Sequence, residues 1–206
     1  MRILLNQSVF VEDPAELNRV LMLLREDAAF LRGSYPDFDS WLFDKVVPGV
    51  VSGERTVLIE MRATEVAGFM ILKHSYLEKK LCTLRVRPQY ESRGMGVRLF
   101  NAAFEILETE FPLLSVSEKA MPKFEPLFEY FGFSQEATYE DRYLPRVREL
   151  SYNGLLDGQE PTLNSAHFPS SISQKWSQRP SAPSSTLRQR DQFSNCDKSQ
   201  LELLTA

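Results

Sequence analysis

Apolar residues recur with two different periods along roughly the first 155 positions, and the switches between periods mark the elements. Arg2 to Phe10 reads as a strand. Asp13-Pro14-Ala15-Glu16 then supplies a helix start, with a cap, a proline at the first helical position and an acid three residues after the cap. Leu17, Val20, Leu21 and Leu24 follow at helical spacing. Phe38, Trp41, Leu42 and Val46 give a second stripe, from Asp37 to about Val46, which Pro48-Gly49 is expected to stop. Thr56 to Met61 and Val66 to Lys73 form a strand pair joined by a hairpin at Arg62 to Glu65. In Lys80 to Arg87, Cys82, Leu84 and Val86 alternate with Thr83, Arg85 and Arg87, which is the period of a strand. A long amphipathic helix follows Gly94-Met95-Gly96, with Val97, Leu99, Phe100, Ala103, Phe104 and Leu107 on its apolar side. Leu113 to Val116 is a strand, and Met121 to Phe131 is a helix closed by Gly132. Phe133 to Tyr143 is the expected last strand. Hairpins mixed with strand–loop–helix units place the fold in the α+β or mixed α/β class.

Near residue 155 the text changes to Ser, Pro, Gln and Asn with scattered charges. Ordering such a segment costs about 1–2 kcal/mol per residue, and it has little apolar surface to offset that. The expected organisation is one folded domain over 1–155 and a mostly disordered tail over 156–206.

The net charge of −4 gives no global basic field for nucleic acid, although Lys79, Lys80, Arg85, Arg87, Arg93 and Arg98 crowd one stretch. Cys82 and Cys196 are far apart and outside any C-x-x-C pair, and His74 and His167 are isolated, so no metal is expected. The apolar run at the start is too short for a signal peptide, and no segment reaches membrane-spanning length. Two free thiols in a reducing cytoplasm are the plain reading, with no membrane partner.

The stretch that carries chemistry runs from Leu84 to Phe100. A strand ends at Pro88, a short loop follows, and two glycines open a helix. The first turn of a helix offers free N–H groups and a partial positive charge, and glycines let the backbone approach a ligand, so this is a seat for phosphate or pyrophosphate. A P-loop would need Lys-Ser/Thr where Val97-Arg98 stand, and a dinucleotide fingerprint would need a third glycine or alanine where Leu99 stands.

The pattern instead resembles the acyl-CoA signature of the GNAT N-acetyltransferase superfamily, Arg/Gln-x-x-Gly-x-Gly/Ala after a Leu-x-Val strand. Leu84-x-Val86, Gly94 and Gly96 match it in order and spacing. Ala67-Gly68-Phe69 looks like the family's central strand, and Leu127-Phe128-Glu129-Tyr130-Phe131-Gly132-Phe133 looks like its helix end. The resemblance implies a GNAT fold: a twisted, mostly antiparallel sheet, one splayed parallel strand pair and about four helices. It implies acetyl-CoA as co-substrate and an amine acceptor, small molecule or protein, attacked at the thioester without a metal. It implies that the backbone of Leu84, Arg85 and Val86 pairs with the pantetheine arm. The loop of Glu91, Ser92, Arg93, Gly94, Met95, Gly96 and Val97 would hold the pyrophosphate, through the amides from Ser92 to Val97.

Three positions depart from the pattern. Glu91 replaces the usual Arg/Gln, with Arg87, Arg93 or Arg98 available to compensate; Phe128 stands where many members have the tyrosine that protonates the leaving thiolate; Met121 stands where many have asparagine. Tyr130 and Ser117 are therefore the candidate catalytic groups, against a packed or exposed tyrosine and a helix cap as ordinary readings. Glu118, His74, Tyr139 and Tyr143 are weaker candidates, each more simply a solvated or packing residue. Acceptor contacts are expected from Leu31 to Val51 and from Tyr139 to Leu144. An acyl-CoA-binding regulatory module and an enzyme acting on nucleic acid are the competing functions, and a homodimer is compatible with the fold.

Overall fold

A computed structural model describes residues 1–33 and 35–162. The fold is mixed α+β, as the alternation predicts. Seven strands form one sheet: β1 (Arg2–Leu5), β2 (Arg55–Arg62), β3 (Glu65–His74), β4 (Lys79–Val86), β5 (Leu113–Ser117), β6 (Gln135–Glu140) and β7 (Arg148–Tyr152). Their order is β1-β2-β3-β4-β5-β7-β6, and every neighbouring pair is antiparallel except β4 and β5.

Six α-helices flank the sheet among the described residues, where about four were expected: α1 (Gln7–Glu12), α2 (Pro14–Arg32), α3 (Phe38–Trp41), α4 (Val47–Ser52), α5 (Met95–Leu107) and α6 (Met121–Phe131). The first strand is shorter than its apolar run suggests. The Asn6 side chain accepts from Val9 N–H, which caps α1 and turns the rest of that run into helix. Pro48 does not stop the second helical region. It sits in the first turn of α4, where the missing N–H costs nothing, and α3 reaches α4 through a π-type turn over Leu42–Val46. The last strand of the sequence reading splits: β6 ends at Glu140, and β7, unforeseen, inserts between β5 and β6.

Strand alternation sends one set of side chains to each side. Val57, Ile59, Phe69 and Ile71 pack under α1–α4, and Leu58, Met70, Leu72, Leu114 and Val116 pack under α5 and α6. A bulge opposite Glu60/Met61 makes Ala67 the extra residue of β3, which is why Val66 and Phe69, three apart, share a side. A second bulge makes Cys82 the extra residue of β4.

Residues 156–162, assigned to the tail from their composition, are held by the domain. Leu156 is buried and donates its N–H to the Tyr139 hydroxyl at 2.8 Å, and Thr162 N–H donates to Thr138 O at 2.7 Å. The remainder of the expected tail, 163–206, lies outside the described residues.

Candidate functional site

The parallel pair holds together at its start only. Lys80 faces Leu113 and Leu81 faces Leu114; beyond them β4 stays with β3 as far as Val86, while β5 stays with β7 as far as Ser117. The two strands separate into a fork whose inner edges carry unpaired backbone groups. A cleft of about 1070 Å³ runs through this fork, lined by Thr83, Leu84, Arg85 and Val86 on one prong and by Ser115, Val116 and Ser117 on the other. Leu84, Arg85 and Val86, expected to guide the pantetheine, stand on its wall.

On one side of the sheet the cleft meets the start of α5. Gly94 caps that helix with φ +73°, a left-handed conformation that suits glycine, and the space where a Cβ would stand is open. Backbone bonds run from Glu91 N–H to Pro88 O and from Arg98 N–H to Gly94 O, so the amides from Ser92 to Val97 have no described acceptor. Glu91, Ser92 and Gly96 line the cleft, whereas Met95 is buried in the core and Arg93, Gly94 and Val97 are not among the lining residues. Gly96 has a second reason to be glycine: a Cβ would come within 2.9 Å of Leu127 Cδ1 in α6.

The Glu91 carboxylate is answered by Lys123 at 3.5 Å. Two of the arginines expected to compensate for it are committed elsewhere. Arg87 forks onto Asp27, which is 2% exposed, at 2.8–3.2 Å, tying the end of β4 to α2, and Arg98 reaches Glu60. Lys79 pairs with Glu108 and Lys80 with Glu78, so the basic stretch is distributed over several ion pairs and is not one patch.

The α6 wall of the cleft is apolar. Phe128 lines it and is buried among Phe124, Phe133 and Tyr152, whose ring lies 4.6 Å away. The Tyr152 hydroxyl donates to Met121 Sδ at 3.3 Å, so the second and third departures from the signature belong to one packing unit. Tyr130 does not reach this wall. Its ring is 70% exposed against Phe131, which removes it as a proton donor in the cleft. A residue two places from Phe128 on a helix faces away from it.

Ser117 does reach the cleft. It ends β5, 7% exposed, and does not cap α6, whose cap position is Ala120. Across the antiparallel β5–β7 ladder Ser117 stands opposite Glu149, and Tyr139 stands opposite Glu149 on β6. Directly opposed residues share a side of a sheet, so Glu149 belongs with Ser115 and Ser117, on the side away from α6.

The sequence reading missed Glu149. It is 3% exposed, with Oε1 lacking any described hydrogen-bond partner. Burial pushes its carboxyl up to about 7, opposed by a hydrogen bond from Ser115 and by the charges of Arg142 and Lys80. Burial likewise pushes the Tyr35 phenol up, with Glu149 and Tyr143 adding to it. Alternation with Leu150 and the polar type of its neighbours were the only signals, and both describe many strand residues.

The far side of the cleft is built from the two segments expected to meet the acceptor. Tyr35, Asp37, Phe38 and Trp41 come from the first, and Arg142 and Tyr143 from the second. Tyr35 and Tyr143 pack edge to face at 5.3 Å. The remaining candidates are accounted for structurally. Glu118 is tied to Arg148 at 2.7 Å, which lowers its carboxyl; His74 Nε2 bonds Thr56 Oγ1 at 2.9 Å; Tyr139 is fully buried.

No family profile and no curated protein matches the chain. Several solved structures that it resembles are named as acetyltransferases. One, named for the GNAT family and from Desulfovibrio desulfuricans, is 17% identical, with 53% of this chain and 73% of that one covered at a TM-score of 0.45. An aminoglycoside 6'-N-acetyltransferase with coenzyme A is 15% identical, covering 59% and 84%, again at 0.45. A protein named for streptothricin acetylation, from Bacillus anthracis and with acetyl coenzyme A, is 16% identical at 0.43; the match covers 48% of this chain and 61% of that one, under two thirds of its length.

Among the described residues no helix is long and apolar enough to cross a membrane, and no three His, Cys, Asp or Glu side chains gather as a metal site.

Proposed function

We propose that this domain is an acyltransferase that moves an acetyl group from acetyl-CoA to a primary amine. The observation that carries the reading is the fork between β4 and β5. It pairs an open strand edge at Cys82–Val86 with the amides of Ser92–Val97 at the mouth of one cleft. An extended arm ending in a diphosphate fits such a combination, because the strand edge satisfies its amides and the helix start its negative charge.

Acetyl-CoA, when bound, supplies the activated acyl carbon. The chain supplies the rest. The cleft passes from the α5 side to the Tyr35–Tyr143 side, so an amine enters opposite the thioester end. Glu149 stands behind the lining, opposite the cleft-lining Ser117, and with a carboxyl near 7 it is suited to draw the amine's proton through that hydroxyl at working pH. In this scheme the new N–C bond forms as the C–S bond breaks, and the proton lost by nitrogen ends on the departing sulfur. The Ser117 hydroxyl, on the same side of the sheet as Glu149, is placed to relay it. Phe128 supplies no proton, so the reading does not depend on a phenol at that position.

Two measurements test the proposal. Calorimetric titration of acetyl-CoA should give saturable binding, and release of free CoA thiol should follow when primary amines are added. Gly94→Val should weaken acetyl-CoA binding: its side chain would meet nothing, but valine is strained at φ +73°, so the change acts through the backbone of the loop. Gly96→Val is less clean, since it also presses on Leu127. Binding without turnover over a wide amine panel would favour an acyl-CoA-binding module. Unchanged affinity in folded Gly94→Val would remove the loop as the diphosphate seat.

A further inference from the structure

The far side of the cleft has an unusual charge arrangement. Three arginines line it, Arg55, Arg85 and Arg142, and among the described residues none has a carboxylate within ion-pair distance. Each lies on an aromatic ring instead: Arg55 over Trp41 at 5.4 Å, Arg85 over Phe30 at 4.6 Å, and Arg142 over Tyr139 and Tyr143 at 5.3 and 5.6 Å. The Nε atoms of Arg85 and Arg142 are buried with no described partner. Of the acids nearby, Glu78 is taken by Lys73 at 2.6 Å and Lys80 at 3.9 Å, Asp37 and Asp157 stand at the exposed rim, and Glu149 is near enough to Arg142 to feel its charge without forming an ion pair.

A partly buried guanidinium is ordinarily paired, because its fork of donors costs free energy when left dry. Stacking on a ring fixes the plane of the group. Arg142 spends one donor on Asp157 O at 2.7 Å and Arg55 one on Cys82 Sγ at 3.2 Å, while the Arg85 side chain has no described hydrogen bond, so each keeps donors for an oxyanion from outside. Leu84 and Val86 pack toward α5, so the Arg85 side chain between them lies on the opposite side, with Arg142, away from the diphosphate seat.

Resting on the acyl-transfer reading above, we propose that the acceptor is a primary amine that also carries an oxyanion, carboxylate or phosphate, gripped by Arg85 and Arg142 while Glu149 serves the amine. The acceptor class is thus an acidic or zwitterionic amine and not a polyamine.

Matched pairs test this. CoA release is followed with β-alanine against β-alaninamide, with O-phosphoethanolamine against ethanolamine, and with spermidine. The anionic member should win by about tenfold or more in kcat/KM, the scale of one charge-assisted fork, and the better pair identifies the oxyanion. Arg85→Gln and Arg142→Gln should raise KM for the anionic members with little change in kcat, and should not alter KM for the neutral members. Lysine at either position should recover part of the loss. Equal rates within each pair, or a preference for spermidine, overturn the proposal.

A readout without turnover separates this failure from that of the catalytic reading. N-Acetyl-β-alanine and its amide are titrated into protein saturated with CoA, or into protein alone where CoA does not bind. Acid binding that vanishes in the Arg85→Gln/Arg142→Gln double variant supports the anion seat. Failure of the acid to bind, or equal binding of the amide, overturns it.

Discussion

The two sides of the forked sheet use aromatic residues in opposite ways. Under α5 and α6, Phe100 contacts Phe104, Phe128, Phe131 and Phe133 with ring centroids 5.2–6.4 Å apart, and the rings fill space against one another. On the other side Phe30, Trp41, Tyr139 and Tyr143 each face a guanidinium. The first arrangement makes a dry wall whose value is its packing. The second holds charge at a cleft on rings and not in ion pairs, which leaves donors for a ligand. In the proposed reading, one sheet thus separates a side built for stability from a side whose groups are held for chemistry.

Substitutions that act on one side should therefore move different observables. The largest effect belongs to the packed side. Phe100→Ala removes the ring common to four pairs and should cost about 3–5 kcal/mol, read as a fall in the denaturation midpoint at unchanged m-value. A loss below ~1 kcal/mol would mean that the wall rearranges, and that the contrast between the two sides is weaker than their geometry suggests.

Glu149→Gln is the counterpart on the chemical side. It should lower kcat by about a hundredfold or more, the usual span for a lost general base, while acetyl-CoA affinity holds. It should also remove a pH dependence with a midpoint near 7, the value to which burial pushes this carboxyl, below which the parent loses rate as the group takes up a proton.

The same substitution should stabilise the protein in alkaline buffer. A carboxyl raised in the folded state binds its proton more tightly there than in the unfolded chain. Its favourable contribution is complete below the unfolded value and is lost as pH rises through about 7. Above that pH the parent carries a buried carboxylate and Glu149→Gln does not, a difference on the order of 2–3 kcal/mol. Thermal midpoints at pH 5 and pH 8.5 measure it: the gain of the variant over the parent should be greater at the higher pH. A residue whose removal costs activity and adds stability is one retained for its chemistry.

How far these residues could be read from sequence follows from what each depends on. Elements with strong local signals were legible: the Asp13-Pro14 start of α2, the strand β4, and α6 from Met121 to the Gly132 cap, where φ is +67°; the bulge in β4 was not, and it puts Cys82 on the side away from Leu84 and Val86, with which the alternation had grouped it. The anion seat was legible in its loop, because glycines ahead of an amphipathic helix have a local physical meaning, whereas the fork was expected only from the family resemblance that the loop carries. β7 was not, since Arg148–Tyr152 is five residues long and finds its place only by inserting between β5 and β6. Glu149 was lost with it, because its raised carboxyl comes from burial under segments distant in sequence. Tyr130 was mistaken for the opposite reason. Its nearness to Phe128 in sequence is not nearness in space, and Tyr130→Phe should leave turnover unchanged.

The smallest expected effect tests the arrangement around Glu149 most closely. The Ser115 hydroxyl, a donor on the same side of the sheet as Glu149, opposes the upward push of burial on its carboxyl. Ser115→Ala removes that donor and leaves burial with less opposition. The midpoint of the pH–rate profile should then move to higher pH, with the plateau rate nearly kept. Ser117 stands directly opposite Glu149 in the ladder and has no recorded bond to it, so Ser117→Ala should leave the midpoint where it is and lower the plateau. The two serines lie on one prong, and each alanine variant removes a single hydroxyl. A midpoint moved by Ser117 and not by Ser115 would reverse their assigned roles, and a midpoint moved by neither would mean that Glu149 is not the group whose ionisation sets the rate.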